Sequence, residues 1–265
     1  MIEIHCSTLP GYNDCPRRCA PRICRDLISE ACGKRPREER RRIYTAVGNG
    51  CHRGASTLAT RKISEAPKIE EGHVAALEKL RSDAAFGIEY DDTTRNMATA
   101  EKQVLRMVSM WFGDVLPELS PERVEFSLAG KLLDDFMIVG SFDLRNVDAS
   151  LYDWKFGSVW RSCKAQLGGY SLISKSNFRA ESTRLVGCHI QRADIKKPQP
   201  STTRVEYDVA SAEGMALEIC QIIMRDVKAF QRNGNPACFP ANPMSVLCTP
   251  KFCDSYNTEW CRAAA

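Results

Sequence analysis

Residues 137–156, MIVGSFDLRNVDASLYDWKF, limit the fold more than any other stretch of the chain. Apolar and polar residues alternate from Met137 to Val147 and again from Leu151 to Phe156, with a polar turn between them at Asn146 to Ser150. Period-two alternation in β-branched and aromatic runs, broken by a short turn, predicts a β-hairpin. Side chains two apart on a strand share a face, so Asp153 and Lys155 project together. The first strand brings a second acid, Asp143, toward them.

Two carboxylates held close together repel unless a cation lies between them, and oxygen ligands suit a hard divalent ion such as Mg²⁺ or Mn²⁺. A lysine beside such a site can position or deprotonate the attacking water in phosphoester cleavage. Taken alone, Asp153-Trp154-Lys155 is equally well explained as an ion pair on a surface hairpin. Its neighbours change the weighing. The order Gly140-x-x-Asp143, Asp153-x-Lys155, then Gln166-x-x-x-Tyr170 at the start of a helix resembles the PD-(D/E)XK nuclease superfamily, and within it the RecB-like nucleases. That resemblance implies an α/β fold with a central mixed sheet flanked by helices, and it implies that Gln166 and Tyr170 reach the substrate. The two lie four apart on one helix face, a spacing that an ordinary half-buried pair also has. Gly168-Gly169 between them weakens a helix by roughly 1 kcal/mol each relative to alanine and predicts a loose helix start.

At 265 residues and 43% hydrophobic content the chain can bury a substantial core. No opening run reads as a signal peptide, and no segment approaches the roughly 18 apolar residues of a membrane span. The expectation is a soluble intracellular protein, in the cytoplasm or, if viral, in that of the host, with no membrane partner. A net charge of +4 is too small to argue nucleic-acid binding from the total. Charge is clustered instead: Arg17 to Arg42 holds ten basic residues against four acids, a solvated helix face in the plainest reading. Thirteen cysteines in a long chain without an export signal point to metal or cluster ligation before disulfides. Cys32, Cys163, Cys188 and Cys220 read as small buried apolar residues.

The opening, with Ser7, Leu9, Tyr12, Cys15, Pro16 and Arg18, resembles that of cluster-bearing RecB-like nucleases. The likeness implies Cys15 as a cluster ligand; spacing alone leaves Cys19 and Cys24 as alternatives. In Ala46 to Arg61, glycines open a helix-compatible segment that puts His52 in its first turn. A lone histidine is more often structural, but this one resembles the first RecB-like motif, which implies metal ligation. Helices are predicted over Pro67 to Arg81, Thr94 to Leu116 and Ser211 to Gln231, the last with Met215, Ile219, Ile222, Ile223, Val227 and Phe230 at helical spacing. Strands are predicted over Val124 to Leu133, Arg184 to Gln191 and Thr203 to Val209.

Beyond Gln231 the chain turns proline-rich and aperiodic, so something other than its own periodicity must hold it. Cys248, Cys253 and Cys261 are separated there by four and seven residues, with Cys238 ten residues before Cys248. Three cysteines at one end and Cys15 at the other match the cluster-bearing RecB-like pattern, which implies a [4Fe-4S] cluster joining the two chain ends. Zinc is the chemical rival, and either centre would be structural.

The organisation expected from this resemblance is a single RecB-like nuclease domain over 1–265. It divides into a basic N-terminal segment over 1–45 with one cluster cysteine, a nuclease core over 46–233 and a cluster segment over 234–265. The implied activity is metal-dependent DNA exonuclease action in end processing for recombination, repair or replication, on DNA that is single-stranded or has a free end. His52, Asp143, Asp153 and the carbonyl of Trp154 would bind Mg²⁺ or Mn²⁺, and Lys155 would orient the water. The rivals are a non-catalytic DNA-binding or assembly subunit and a zinc-stapled adaptor. No G-x-x-x-x-G-K-[ST] sequence occurs, so any unwinding would fall to a partner helicase or recombination protein.

Overall fold

The alternating run at 137–156 forms the hairpin it predicts, and a computed structural model describes the whole chain except Arg25, 29–41, Phe86, 133–134, Lys251, Asp254 and 263–265. In chain order the elements are β1 (Ile2–His5), α1 (Leu9–Asp14), α2 (Pro16–Ile23), α3 (Ile43–Arg61), α4 (Ile69–Ala84) and α5 (Met97–Asp114). There follow β2 (Pro121–Lys131), β3 (Phe136–Asn146), β4 (Leu151–Gly157), α6 (Lys164–Phe178), β5 (Leu185–Gln191), β6 (Thr203–Tyr207), α7 (Val209–Asn233) and α8 (Glu259–Arg262). No described helix is long and apolar enough to cross a membrane.

The sheet runs β1-β3-β4-β5-β6, with β2 also on β3, and mixes parallel with antiparallel pairs. Since β2 lies along one edge of β3 for nearly its full length, β1 and β4 must share the other edge. β1 takes Phe136 to Val139, while β4 takes only Leu144 and Arg145. Residues Gly140 to Asp143 therefore have no strand on that side. The turn into β4 is fixed by Asp148, whose Oδ1 accepts both the N–H and the hydroxyl of Ser150, and by Ala149 at φ 65°.

Helices cover both faces. One core combines α1, α2, α6 and α7 with Ile138, Phe142, Leu151 and Leu185 of the sheet. The other combines α3, α4 and α5 with Leu144, Tyr152, Trp154, Val186 and Cys188. Cys163, Cys188 and Cys220 are buried as expected, whereas Cys32 lies outside the described residues.

Several expectations are corrected. Helix α3 starts at Ile43, so His52 sits in its middle and not in a first turn. The glycines there are a packing seam: a Cβ on Gly50 would stand 2.9 Å from the Ala76 carbonyl oxygen, and one on Gly54 2.8 Å from that of Gly72. Gly168 and Gly169 do not loosen α6. They are buried within it, where a Cβ on Gly168 would meet the Ala212 carbonyl oxygen at 2.0 Å and one on Gly169 the Cys6 sulfur at 2.8 Å. On α7, Ile222 is exposed while the rest of its apolar stripe packs inward. The basic stretch is not one solvated face either, because Arg17 and Arg42 are buried. Arg25, Lys34, Arg35, Arg37, Arg40 and Arg41 lie outside the described residues.

Arg17 is what fastens the proline-rich tail. Its guanidinium donates to the Phe239 and Trp260 carbonyls, 2.7 Å each, and lies 5.0 Å from the Trp260 ring centre. The Trp260 indole N–H donates back to the Arg17 carbonyl at 2.9 Å. Phe230, Phe239 and Trp260 close on one another, and Asn242 and Ser245 donate to Asp14.

The glycine contacts predict a measurable asymmetry. Gly168→Ala must push α6 and α7 apart and should cost about 1–3 kcal/mol, whereas Gly113→Ala on α5 meets nothing within 4 Å and should be neutral or gain up to about 1 kcal/mol. Urea unfolding of both variants checks this; equal stabilities would contradict the packing described.

Candidate active site

The site begins where β3 and β4 part. Beyond the Leu144↔Tyr152 pair the ladder stops, and the next β4 donor, the Trp154 N–H, goes instead to Asp143 Oδ2 at 2.7 Å. A buried N–H without an acceptor would be costly, so the carboxylate replaces a missing strand carbonyl. Its other oxygen, Oδ1, lies 3.7 Å from Nδ1 of His52, which α3 carries over the sheet and which rests edge-on against Phe156.

A third group, Glu125, comes from β2. It sits opposite Asp143, between the pairs Val124↔Leu144 and Phe126↔Phe142, with a left-handed backbone at φ 48°. There the alternation loses phase: Phe142 joins one core and Leu144 the other. His52, Glu125 and Asp143 each offer a ligand atom within 4.8 Å of the others, and no other group of three or more such side chains does so among the described residues. Ligand atoms around an octahedral ion with bonds of about 2.1 Å lie roughly 3–4 Å apart, so the trio fits a divalent cation.

The electrostatics describe a site short of positive charge. Burial pushes Asp143 up to about 6 against the pull of Lys155 and the Trp154 N–H. Glu125 is exposed as a residue, yet its carboxyl group is pushed up to about 8 by enclosure and then by Asp143 and Asp153, with Arg53 and Lys155 opposing. Burial, helped by Lys155, drives His52 down to about 4, so the imidazole is neutral near pH 7, the form that ligates metals.

Lys155 is held by two side chains. Its ammonium stands 2.9 Å and 2.8 Å from the Asp153 oxygens and donates to Gln166 Oε1 at 3.0 Å. Burial works against its charge, but Asp153 and Asp143 outweigh that and raise its pKa. Asp153 is fully buried, and burial raises its pKa despite Lys155.

Sequence reasoning thus named His52, Asp143, Asp153, Lys155 and Gln166 as neighbours, and they are. Asp153 is not part of the three-ligand group; its carboxylate faces Lys155. Gln166 and Tyr170 are buried beneath the lysine, with the Gln166 amide donating to the Tyr170 hydroxyl at 2.7 Å, so they support Lys155 and do not line the surface. Gly140 makes that possible, since a Cβ there would stand 2.6 Å from the Tyr170 ring. Glu125 was missed. The run was recognised as a strand, but nothing in it signals a left-handed residue that turns its acid toward Asp143.

The cysteines expected at the chain ends share one neighbourhood. Cys15 and Cys253 are buried, Cys248 and Cys261 half-buried, and the Cys248 and Cys253 thiols each feel both Cys15 and Cys261. Of the cysteines nearby, Cys19 borders Cys15, Cys24, just past the end of α2, bonds the Ala20 carbonyl, and Cys238 faces Asn233.

No protein-family model matches the chain, and no curated protein does. Among solved structures it resembles a protein from Eubacterium rectale assigned, without demonstration, as an exonuclease, at 12% identity and TM-score 0.54 over 88% of this chain and 82% of that one. It also aligns with LHK-Exo in complex with dAMP, at 11% identity and TM-score 0.32 over 70% of this chain and 96% of that one. The first likeness shows the fold: a mixed α/β architecture, central sheet flanked by helices, shared with that structure.

The pKa displacements give a prediction of definite sign. Between 3.8 and about 6 the folded protein holds a proton on Asp143 that the unfolded chain has released, so metal-free stability falls as pH rises through that window. His52, held at about 4 against 6.5, works the opposite way, its stability contribution rising with pH. Asp143→Asn removes the first effect and, in the same direction, relieves Glu125 of the upward push it takes from Asp143, while leaving the His52 contribution in place. The variant should therefore gain on wild type from pH 4 to 7, by on the order of 1–3 kcal/mol, in urea unfolding without metal. Mn²⁺ at pH 7 should stabilise wild type more than the variant. A stability difference flat across pH 4–7 would contradict the burial assigned to Asp143.

Proposed function

We propose that the protein is a metal-dependent DNA nuclease, acting as an exonuclease on DNA that is single-stranded or has a free end, in recombination, repair or replication. The observation that carries this reading is the convergence of His52, Glu125 and Asp143 beside a lysine fixed by Asp153 and Gln166. The exonuclease-type fold supports it. Mg²⁺ or Mn²⁺ would be held by His52, Glu125 and Asp143, with Asp153 and the Trp154 carbonyl completing the set, and the imidazole favours Mn²⁺. When bound, the ion polarises the phosphoester and lowers the pKa of a water molecule.

The chain's own residues supply the rest. Lys155 directs its protons at the attacking water and the developing charge on phosphate. Gln166 and Tyr170 hold the lysine in that position from below, which is a different task from the substrate contact that the sequence resemblance implies. Asp143 keeps the hairpin open while presenting its second oxygen, and His52 stays neutral because burial denies it a proton. Any unwinding is left to a partner helicase or recombination protein.

The reading includes a [4Fe-4S] cluster on Cys15, Cys248, Cys253 and Cys261, within one domain over 1–265. The shared neighbourhood of these thiols supports it, with zinc on the same four thiolates as the chemical rival. The cluster would reinforce a junction that Arg17 and Trp260 already make.

Incubation of anaerobically purified protein with end-labelled single- and double-stranded DNA, with and without Mn²⁺, tests the catalytic part. Asp143→Ala should abolish cleavage, and Lys155→Ala should lower turnover by about 10²-fold or more while DNA binding persists. Undiminished Mn²⁺-dependent cleavage in well-folded Asp143→Ala, or none in wild type, would overturn the reading.

The protein should also be brown, oxygen-sensitive and carry about four irons per chain. Cys15→Ala, Cys248→Ala, Cys253→Ala or Cys261→Ala should bleach it, and Cys188→Ala should not. One zinc and no iron in colourless protein would replace the cluster with a zinc site, and colour retained in Cys15→Ala would move the fourth ligand to Cys19, Cys24 or Cys238.

A further inference from the structure

We propose that Cys163 is a positioning residue for Asp153, its thiol donating to the buried carboxylate and fixing the acid against which Lys155 is held. The catalytic consequence rests on the nuclease reading; the contact itself does not.

The register of the sheet places the thiol. Asp153 of β4 pairs with Gly187 of β5, and neighbouring strands lie about 4.8 Å apart, so a side chain at 187 would stand directly beside that of Asp153. There is none. A Cβ built on Gly187 would lie 2.6 Å from Cys163 Sγ and 2.8 Å from the Trp160 ring. The sulfur, brought over the sheet by the residue that precedes α6, thus fills the place next to Asp153. It is almost fully buried, 1% exposed, and cannot be serving solvent.

The polar surroundings give the thiol a direction. Tyr207 Oη lies 3.9 Å from Cys163 Sγ, and that same phenol oxygen accepts from the Ser162 hydroxyl at 3.3 Å. The thiol can donate to that oxygen, but its single proton finds the stronger acceptor in the Asp153 carboxylate, and the tyrosine O–H is free to turn to the sulfur in exchange. The aspartate has an acceptor to spare. Lys155 is aligned on Oδ1, whereas Oδ2 is buried without a well-aligned donor despite the ammonium 2.8 Å away. A buried carboxylate oxygen draws in even a weak donor, and a thiol is one. The Cys163 thiol, raised by burial and then by Asp153, is in keeping with a protonated donor at this place.

Two side chains then set Asp153: an ammonium that lies against both oxygens, aligned on Oδ1, and a thiol directed at Oδ2. Loss of the thiol frees the carboxylate to rotate, and Lys155 moves with it. Sub-ångström placement of such a lysine matters for turnover and much less for binding DNA.

The test has an arm that needs no activity. The infrared S–H stretch falls in a window free of other protein bands, and a wild-type minus Cys163→Ala spectrum isolates the Cys163 contribution. Asp153→Asn should shift that band to higher frequency, because a neutral amide accepts more weakly, and Asp143→Asn should not. On Mn²⁺ and end-labelled DNA, Cys163→Ala should lose about ten- to a hundredfold in kcat with KM within about twofold, and Cys163→Ser, which keeps a donor, should recover most of it. Gly187→Ala, whose new methyl displaces the sulfur, should reproduce the loss with Cys163 present. A band indifferent to Asp153→Asn, or wild-type kcat in Cys163→Ala, overturns the proposal. Wild type that fails to cleave DNA overturns the nuclease reading instead, and the band still decides the contact.

Discussion

One hydrogen bond, from the Trp154 N–H to Asp143 Oδ2 at 2.7 Å, lets the central hairpin open without orphaning a buried donor. Past Leu144 and Tyr152 the two strands share no ladder, and an unsatisfied N–H at that depth would press them back together. By taking the donor on one oxygen, Asp143 both props the strands apart and presents its second oxygen to His52 and Glu125. The structural role and the ligand role belong to the same carboxylate, so the cleft and its chemistry cannot be separated.

Burial then sets every charge around that opening. It lifts Asp143 and Asp153, lowers His52, and works against the charge on Lys155, which the two acids beside it outweigh. The outcome is a neutral imidazole, reluctant acids and one retained ammonium, an arrangement that a divalent cation relieves. Packing makes this precision possible. Gly140 lets Tyr170 approach under Gln166, Gly187 leaves room for Cys163 beside Asp153, and Gly50 and Gly54 seat α3 so that His52 overhangs the sheet. At the far end of the chain, a buried arginine, Arg17, gives an aperiodic tail its place by taking two of its carbonyls.

Much of this was legible in the sequence, for a physical reason. Period-two alternation over 137–156 and the helical stripe from Met215 to Phe230 are local signals, so the hairpin and α7 follow from residues that touch their neighbours in the chain. That Asp143, Asp153, Lys155 and Gln166 lie together was implied by a family resemblance carried by their order, and the side-chain contacts bring them together. Glu125 was not, because a left-handed residue inside a strand breaks the alternation on which the reading depends. The glycine pair Gly168-Gly169 was misread by intrinsic helix propensity, which tertiary packing against Ala212 and Cys6 overrides. Arg17 was invisible for the opposite reason: its partners are more than 200 residues away, at Phe239 and Trp260, and nothing local distinguishes it from the arginines around it.

The proposed function requires a divalent ion where the hairpin opens. Anomalous scattering at the manganese edge from crystals soaked in Mn²⁺ tests it most directly. The account predicts a single strongest peak within bonding distance, about 2.0–2.3 Å, of His52 Nδ1 and Asp143 Oδ1, with Glu125 turned toward it. A map whose strongest peak lies away from these three residues, or that shows none between them at saturating Mn²⁺, would contradict it.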